Sequence, residues 1–168
     1  TLSGTVTFAS GTGDAFESGG TITLGGTALA LTSDVVIDGD VDGDGSADIA
    51  VDGAGQSRVF SAQAGNSIFQ SLTITGGGNS TFGGAAYVAT GASLLLDRST
   101  VEGNSATAGA GLFNNGGTLT LLNSLVTDNS TNGGNGGGIF STSNGTTTLT
   151  NTTLEGNTAA ASGGAVFG

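Results

Sequence analysis

The chain has 168 residues, 34 of them glycine, and contains no Pro, Cys, Met, Trp or His. Thirteen carboxylates against two arginines, Arg58 and Arg98, give a formal net charge of −11; nucleic acid and anionic membrane surfaces are excluded as partners, because both need clustered Lys and Arg. The missing His and Cys exclude a Ser-His-Asp set and disulfides, and no apolar run is long enough to span a bilayer.

So much glycine implies either disorder or a repetitive fold, and recurring Val/Ile/Leu/Phe clusters with few charges favour the second. The opening stretch, residues 1–20, is irregular and reads as an incomplete coil or a cap. It starts at Thr1 without Met and reads as part of a larger protein. "TITL" and "TALAL" then suggest a first coil, closing at Ile37. The acidic stretch "DGDVDGDGSADIAVDG" follows, and after it Ile49, Phe60 and Phe69 mark the next coil, with Asp52 three residues after Ile49.

From there the copies align closely. Ile74, Val101, Val126 and Leu154 match one another, and the last three are each followed three residues later by Asn104, Asn129 and Asn157. "GGAAY", "GAGLF", "GGGIF" and "GGAVF" end at Tyr87, Phe113, Phe140 and Phe167. Leu96, Leu121 and Leu149 mark a third apolar position, and the period is 25 to 28 residues. Short alternating or β-branched runs bounded by Gly, Asn, Ser and Thr predict strands. Three strands and three corners per period make one triangular turn, stacked on the next at ~4.8 Å. The expected fold is all-β: a right-handed, single-stranded parallel β-helix running through residues 1–168 as one segment.

Five residues separate the third apolar position from the next first one in every coil but one, so that corner is tight. Eight or nine residues span the second corner, and the third varies and carries the loops. A loop-bearing face is where a partner would bind. The exception to the five-residue rule is Ile37 to Ile49, twelve residues apart, which reads as a seven-residue insertion in the tightest corner.

That insertion, residues 38–48, gathers carboxylates that repel one another. Asp40, Asp42, Asp44, Gly45 and Asp48 form D-x-D-x-D-G-x-x-D, the front half of a calcium loop. Carboxylates at positions 1, 3 and 5 would converge as the backbone curls about Gly45. Ser46 would offer its carbonyl and Asp48 a further oxygen. Val51 stands where the bidentate acid is expected, leaving Asp38 or Asp52 to take that part. Hard oxygen donors select calcium over zinc or copper, and magnesium wants fewer protein ligands. A structural ion is expected rather than a catalytic one, because no arginine is closer than ten residues to Asp48, although folding could bring Arg58 closer. No catalytic residue is assigned.

The asparagines predict a ladder of amides satisfying buried corner backbone. The aromatic column is expected to stack in the core, with the preceding glycines allowing close backbone approach. Glu102 and Glu155, two coils apart with Thr127 between them, read as surface charge. Asp97 and Arg98 read as a local surface pair.

"EGNSA…GAGLF", "TDNST…GGGIF" and "EGNTA…GGAVF" resemble the repeats of polymorphic outer membrane proteins, which pair G-G-A-[ILV] with F-x-x-N. Here Val101, Val126 and Leu154 replace that Phe. The likeness covers residues 71–168 and implies an exported autotransporter passenger or adhesin region at a bacterial cell surface. The expected function is a calcium-stabilised extracellular scaffold whose partner is a cell-surface receptor or glycan. The rivals are a polysaccharide lyase or glycosidase on the same fold, which the absence of Lys and His opposes, and ice binding through Thr118, Thr120, Thr146 and Thr148. Unpaired sheet edges after Phe167 also predict end-to-end self-association.

Overall fold

The computed structural model describes residues 2–8, 16–142 and 144–168. Among these, every regular element is a β-strand and every strand pairing is parallel. The strands stack as a parallel β-helix with three faces. The first is a six-stranded sheet of Gly20–Thr23, Ile49–Asp52, Leu72–Thr75, Thr100–Glu102, Leu125–Thr127 and Thr153–Glu155. The second stacks residues 29–31 with Phe60–Ala62, Ala86–Val88, Leu112–Asn114, Ile139–Ser141 and Val166–Phe167. The third sets Leu2–Val6 beside residues 35–38, followed by Asn66–Gln70, Ser93–Asp97, Thr118–Leu122 and Thr146–Thr150. One long strand, Leu29–Asp38, contributes to both the second and the third face.

Alternation along each strand supplies the core. Val51, Ile74, Val101 and Val126 point inward from the first face, Leu112 and Ile139 from the second, and Phe69, Leu96 and Leu121 from the third. All are closed to solvent, and each such side chain contributes about 1.5–3 kcal/mol on burial. Stacking equivalent residues coil on coil makes a narrow core continuous along the axis.

The tight corner lies between the third and first faces and turns on a single left-handed residue: Ser71, Arg98, Asn123 and Asn151, with φ of 48°, 48°, 50° and 48°. A hydroxyl braces the residue after it in the last three coils. Ser99, Ser124 and Thr152 donate back across the corner to the carbonyls of Asp97, Leu122 and Thr150 at 3.0, 2.7 and 3.1 Å. This hydroxyl column, buried at Ser99 and Ser124, was not read from the sequence, where serine in a Gly/Ser/Thr-rich chain carries no contrast.

Register corrects two expectations in the early coils. Val51, not Ile49, pairs with Ile74, and Ile49 pairs with Leu72. Both Ile49 and Val51 face inward, so apolar character alone cannot choose between them. Later coils hide the earlier position, because it holds Ser99 and Ser124. The insertion is accordingly larger than seven residues: residues 39–48 occupy the place that Ser71 alone fills one coil on. Phe60 pairs with Ala86 and Ser61 with Tyr87, so Phe60 is a core residue and not a member of the aromatic column. A one-residue slip moves a side chain to the opposite face.

The irregular opening segment resolves in part. Leu2–Val6 is a strand, and Phe8 and Phe16 meet edge to face at 5.3 Å and pack against the core. Residues 9–15 of that segment lie outside the described residues.

Candidate metal centre at the acidic corner

Residues 39–48 leave the solenoid and return through a narrow neck. The amide of Gly39 donates to Gln70 O at 2.9 Å, and Asp48 donates to Gly39 O at 3.1 Å. Only glycine fits at 39, since a Cβ there would lie 2.4 Å from Ser71 O. Asp48 O accepts from Gly20 at 3.0 Å, which ties the neck to the preceding coil.

Within the loop the aspartates organise the backbone. Asp40 accepts from the amides of Gly43 and Gly45 with its two oxygens, at 2.7 and 2.9 Å. Asp48 Oδ2 accepts from Val41 at 2.9 Å. Asp38, Asp42 and Asp44 each accept from the amide two residues on, at 3.2, 3.0 and 2.7 Å. Gly43 and Gly45 carry φ of 83° and 86°, and these left-handed turns curl the chain around Asp40.

The result brings Asp40, Asp42 and Asp48 together, with one ligand oxygen from each within 4.8 Å of the others. Calcium bonded to oxygen at about 2.4 Å would span about that distance, so these are the three carboxylates that would hold an ion, which would need further oxygens to reach six to eight ligands. Of the other expected ligands, Asp44 lies outside this group with its carboxylate on the Ser46 amide, and Ser46 enters the network through that amide. Asp38 caps Asp40. Asp52 belongs to the next corner, where it accepts from Ala54 at 2.7 Å.

The loop rests on the coils that follow. Ser71 Oγ donates to Gly45 O at 3.2 Å, and a Cβ on Gly45 would meet Arg98 Cδ at 4.0 Å. The arginine folded toward the acidic corner is therefore Arg98. It pairs with Asp97 at 2.5 Å. Arg58 is held elsewhere: its guanidinium donates to the carbonyls of Phe82 and Gly83 and lies 4.9 Å from the Tyr87 ring centroid. Burial lowers its pKa, and Tyr87 opposes that shift.

The remaining columns divide. The asparagine ladder is present: Asn104 Nδ2 donates to Asn129 Oδ1 and Asn129 Nδ2 to Asn157 Oδ1, both at 2.9 Å. Asp52 is not part of it, because it aligns with Thr75 and Glu102. That outward column reads Thr23, Asp52, Thr75, Glu102, Thr127, Glu155, so a threonine separates each carboxylate from the next and like charges never sit directly opposite.

The aromatic column forms, with ring centroids 5.7, 5.0 and 5.2 Å apart from Tyr87 to Phe167, but not in the core. Ala86, Leu112 and Ile139 fill the core, while Tyr87, Phe113 and Phe140 sit on the outer side of the same strands. The preceding glycines explain how the rings stay covered. Gly109, Gly136 and Gly163, four residues before each Phe, have φ of 58°, 66° and 69°, and a Cβ on any of them would come within 3.0 Å of that Phe's Cβ. Phe82 adds a lid over Phe113, with centroids 4.5 Å apart.

Comparison of the chain with protein-family models, with curated proteins and with solved structures returned no match.

Proposed function

We propose that this chain is a calcium-stabilised β-helical scaffold, part of a larger bacterial surface or secreted protein, that presents a binding surface outside the cell. The observation that carries the reading is the convergence of Asp40, Asp42 and Asp48 inside a loop pinned to both neighbouring coils. An ion there offsets the mutual repulsion of the carboxylates and closes a long detour into a compact corner. Calcium at the concentrations found outside cells suits such a site. The low cation content and the absence of thiols agree with that setting, and the likeness to polymorphic outer membrane protein repeats supports an exported passenger or adhesin region.

Thermal unfolding with calcium, with magnesium and with a chelator tests the reading. Calcium at about a hundred times its Kd adds about 2.7 kcal/mol, which for a chain of this size raises Tm by about 5–10 °C. Magnesium is expected to do much less, and Asp42→Ala is expected to abolish the calcium response. Asp42 is the exposed member of the group, and its one internal bond goes to the Asp44 amide. Identical melting curves under all three conditions would reduce the acidic corner to a solvated turn.

One observation favours a second reading, a polysaccharide lyase, because Arg98 lies next to the acidic loop. Its pairing with Asp97 leaves it poorly placed to take a proton. Formation of unsaturated sugar products from polyuronate, lost in Arg98→Ala, would establish that reading over the scaffold.

A further inference from the structure

We infer that the loop-bearing corner between the first and second faces binds a neutral oligosaccharide. A cleft of about 250 Å³ opens there across three successive coils. Asn79 and Thr81 come from one coil, Ser105 and Thr107 from the next, and Asn132 from the third. Its backbone is fixed by bonds between coils: Thr107 donates to Ser80 O at 3.1 Å, Ala108 to Thr81 O at 3.0 Å, and Asn132 to Ala106 O at 3.1 Å. The short strands Ser105–Ala106 and Ser130–Thr131 pair beneath it.

Ser80 and Ser105 donate to Gly83 O and Gly77 O, each at 3.4 Å, and the other polar side chains of this floor are largely uncommitted. Thr81, Thr107 and Asn132 are exposed and make no side-chain hydrogen bond within the chain. Asn79 donates one amide hydrogen to Gln56 O at 3.3 Å and keeps its oxygen free. No charged residue lines the cleft. A metal ion finds no carboxylate there, an anion finds no cation, and an apolar ligand finds almost no apolar wall. Hydroxyls and amides that both donate and accept match a ligand whose surface is hydroxyl and acetal oxygen. The groups recur from coil to coil at ~4.8 Å, which favours a repeating, linear ligand over a compact one. A net charge of −11 disfavours acidic sugars.

This inference rests on the scaffold reading, and its test separates the two. The whole chain in calcium buffer would be titrated with maltotetraose, cellotetraose, mannotetraose and chitotetraose, with tetragalacturonate as the anionic comparison, by saturation-transfer NMR and calorimetry. At least one neutral tetrasaccharide is expected to bind and tetragalacturonate is not. Thr107→Val and Asn132→Ala are each expected to weaken binding about tenfold, while Thr148→Val on the third face leaves it unchanged. The inference is overturned if a cooperatively melting chain binds none of the neutral probes, if the cleft variants bind as tightly as the parent, or if the anionic probe binds best. A normal calcium shift with no glycan bound removes the cleft and leaves the scaffold. Release of new reducing ends that is lost in Thr107→Val upholds the cleft and overturns the scaffold.

Discussion

On the third face, Ser67 sets a hydroxyl among the inward aliphatic side chains of Val35, Leu94 and Leu119. Ser67 is 1% exposed and its Oγ has no hydrogen-bond partner. Burying a hydroxyl without a partner costs about 1–3 kcal/mol. Ser67→Ala removes the orphaned group without adding volume, so its expected effect is a rise in Tm of about 2–4 °C for each kcal/mol recovered. A lower Tm would mean that the hydroxyl holds a partner in solution. The glycines preceding the aromatics belong to the same scale. Their spacing was legible in the sequence, and their purpose was not, because it depends on which way the ring four residues later points.

Among the elements, the asparagine ladder has the clearest energetics. Asn129 is fully buried and donates to Val101 O, Thr127 O and Asn157 Oδ1 at 3.0, 2.9 and 2.9 Å, while its own oxygen accepts from Asn104. Asn157 closes the ladder, half-buried, and donates to Val126 O at 2.7 Å. Asn129→Ala strands partners on both sides in a dry corner and is expected to cost about 3 kcal/mol or more, against about 1 kcal/mol for Asn157→Ala. Urea unfolding of the two variants measures the difference. Equal losses would show that the ladder acts as isolated caps rather than as a stack. Fixed three-residue spacing made this element readable in advance. The failure at Asp52 came from a coil where two inward residues, Ile49 and Val51, competed for the same register.

Across the whole molecule, burial falls toward the last coil. Leu149 and Val166 are 38% and 42% exposed, whereas their counterparts Leu121 and Ile139 are closed to solvent. Local opening is easiest where the fewest apolar side chains are closed to solvent. Amide hydrogen exchange on this chain is expected to be fastest in Thr146–Thr150 and Thr153–Glu155 and slowest in Ser93–Asp97 and Thr118–Leu122. Uniform protection through all coils would show that the chain opens only as a single unit.

The sequence by itself determined the solenoid, its period, the position of the tight corner, the asparagine ladder and the acidic detour. Each is written in local spacing: alternation along a strand and a constant offset from one copy to the next. Tertiary structure alone decided which carboxylates converge. Asp40, Asp42 and Asp48 meet, Asp44 does not, and Arg98 rather than Arg58 reaches their loop, at Gly45. It also turned the aromatic column outward and left a polar cleft among the loops. Those outcomes depend on register to a single residue and on how a loop curls against the next coil. Both are settled by contacts between residues a full turn apart in the chain.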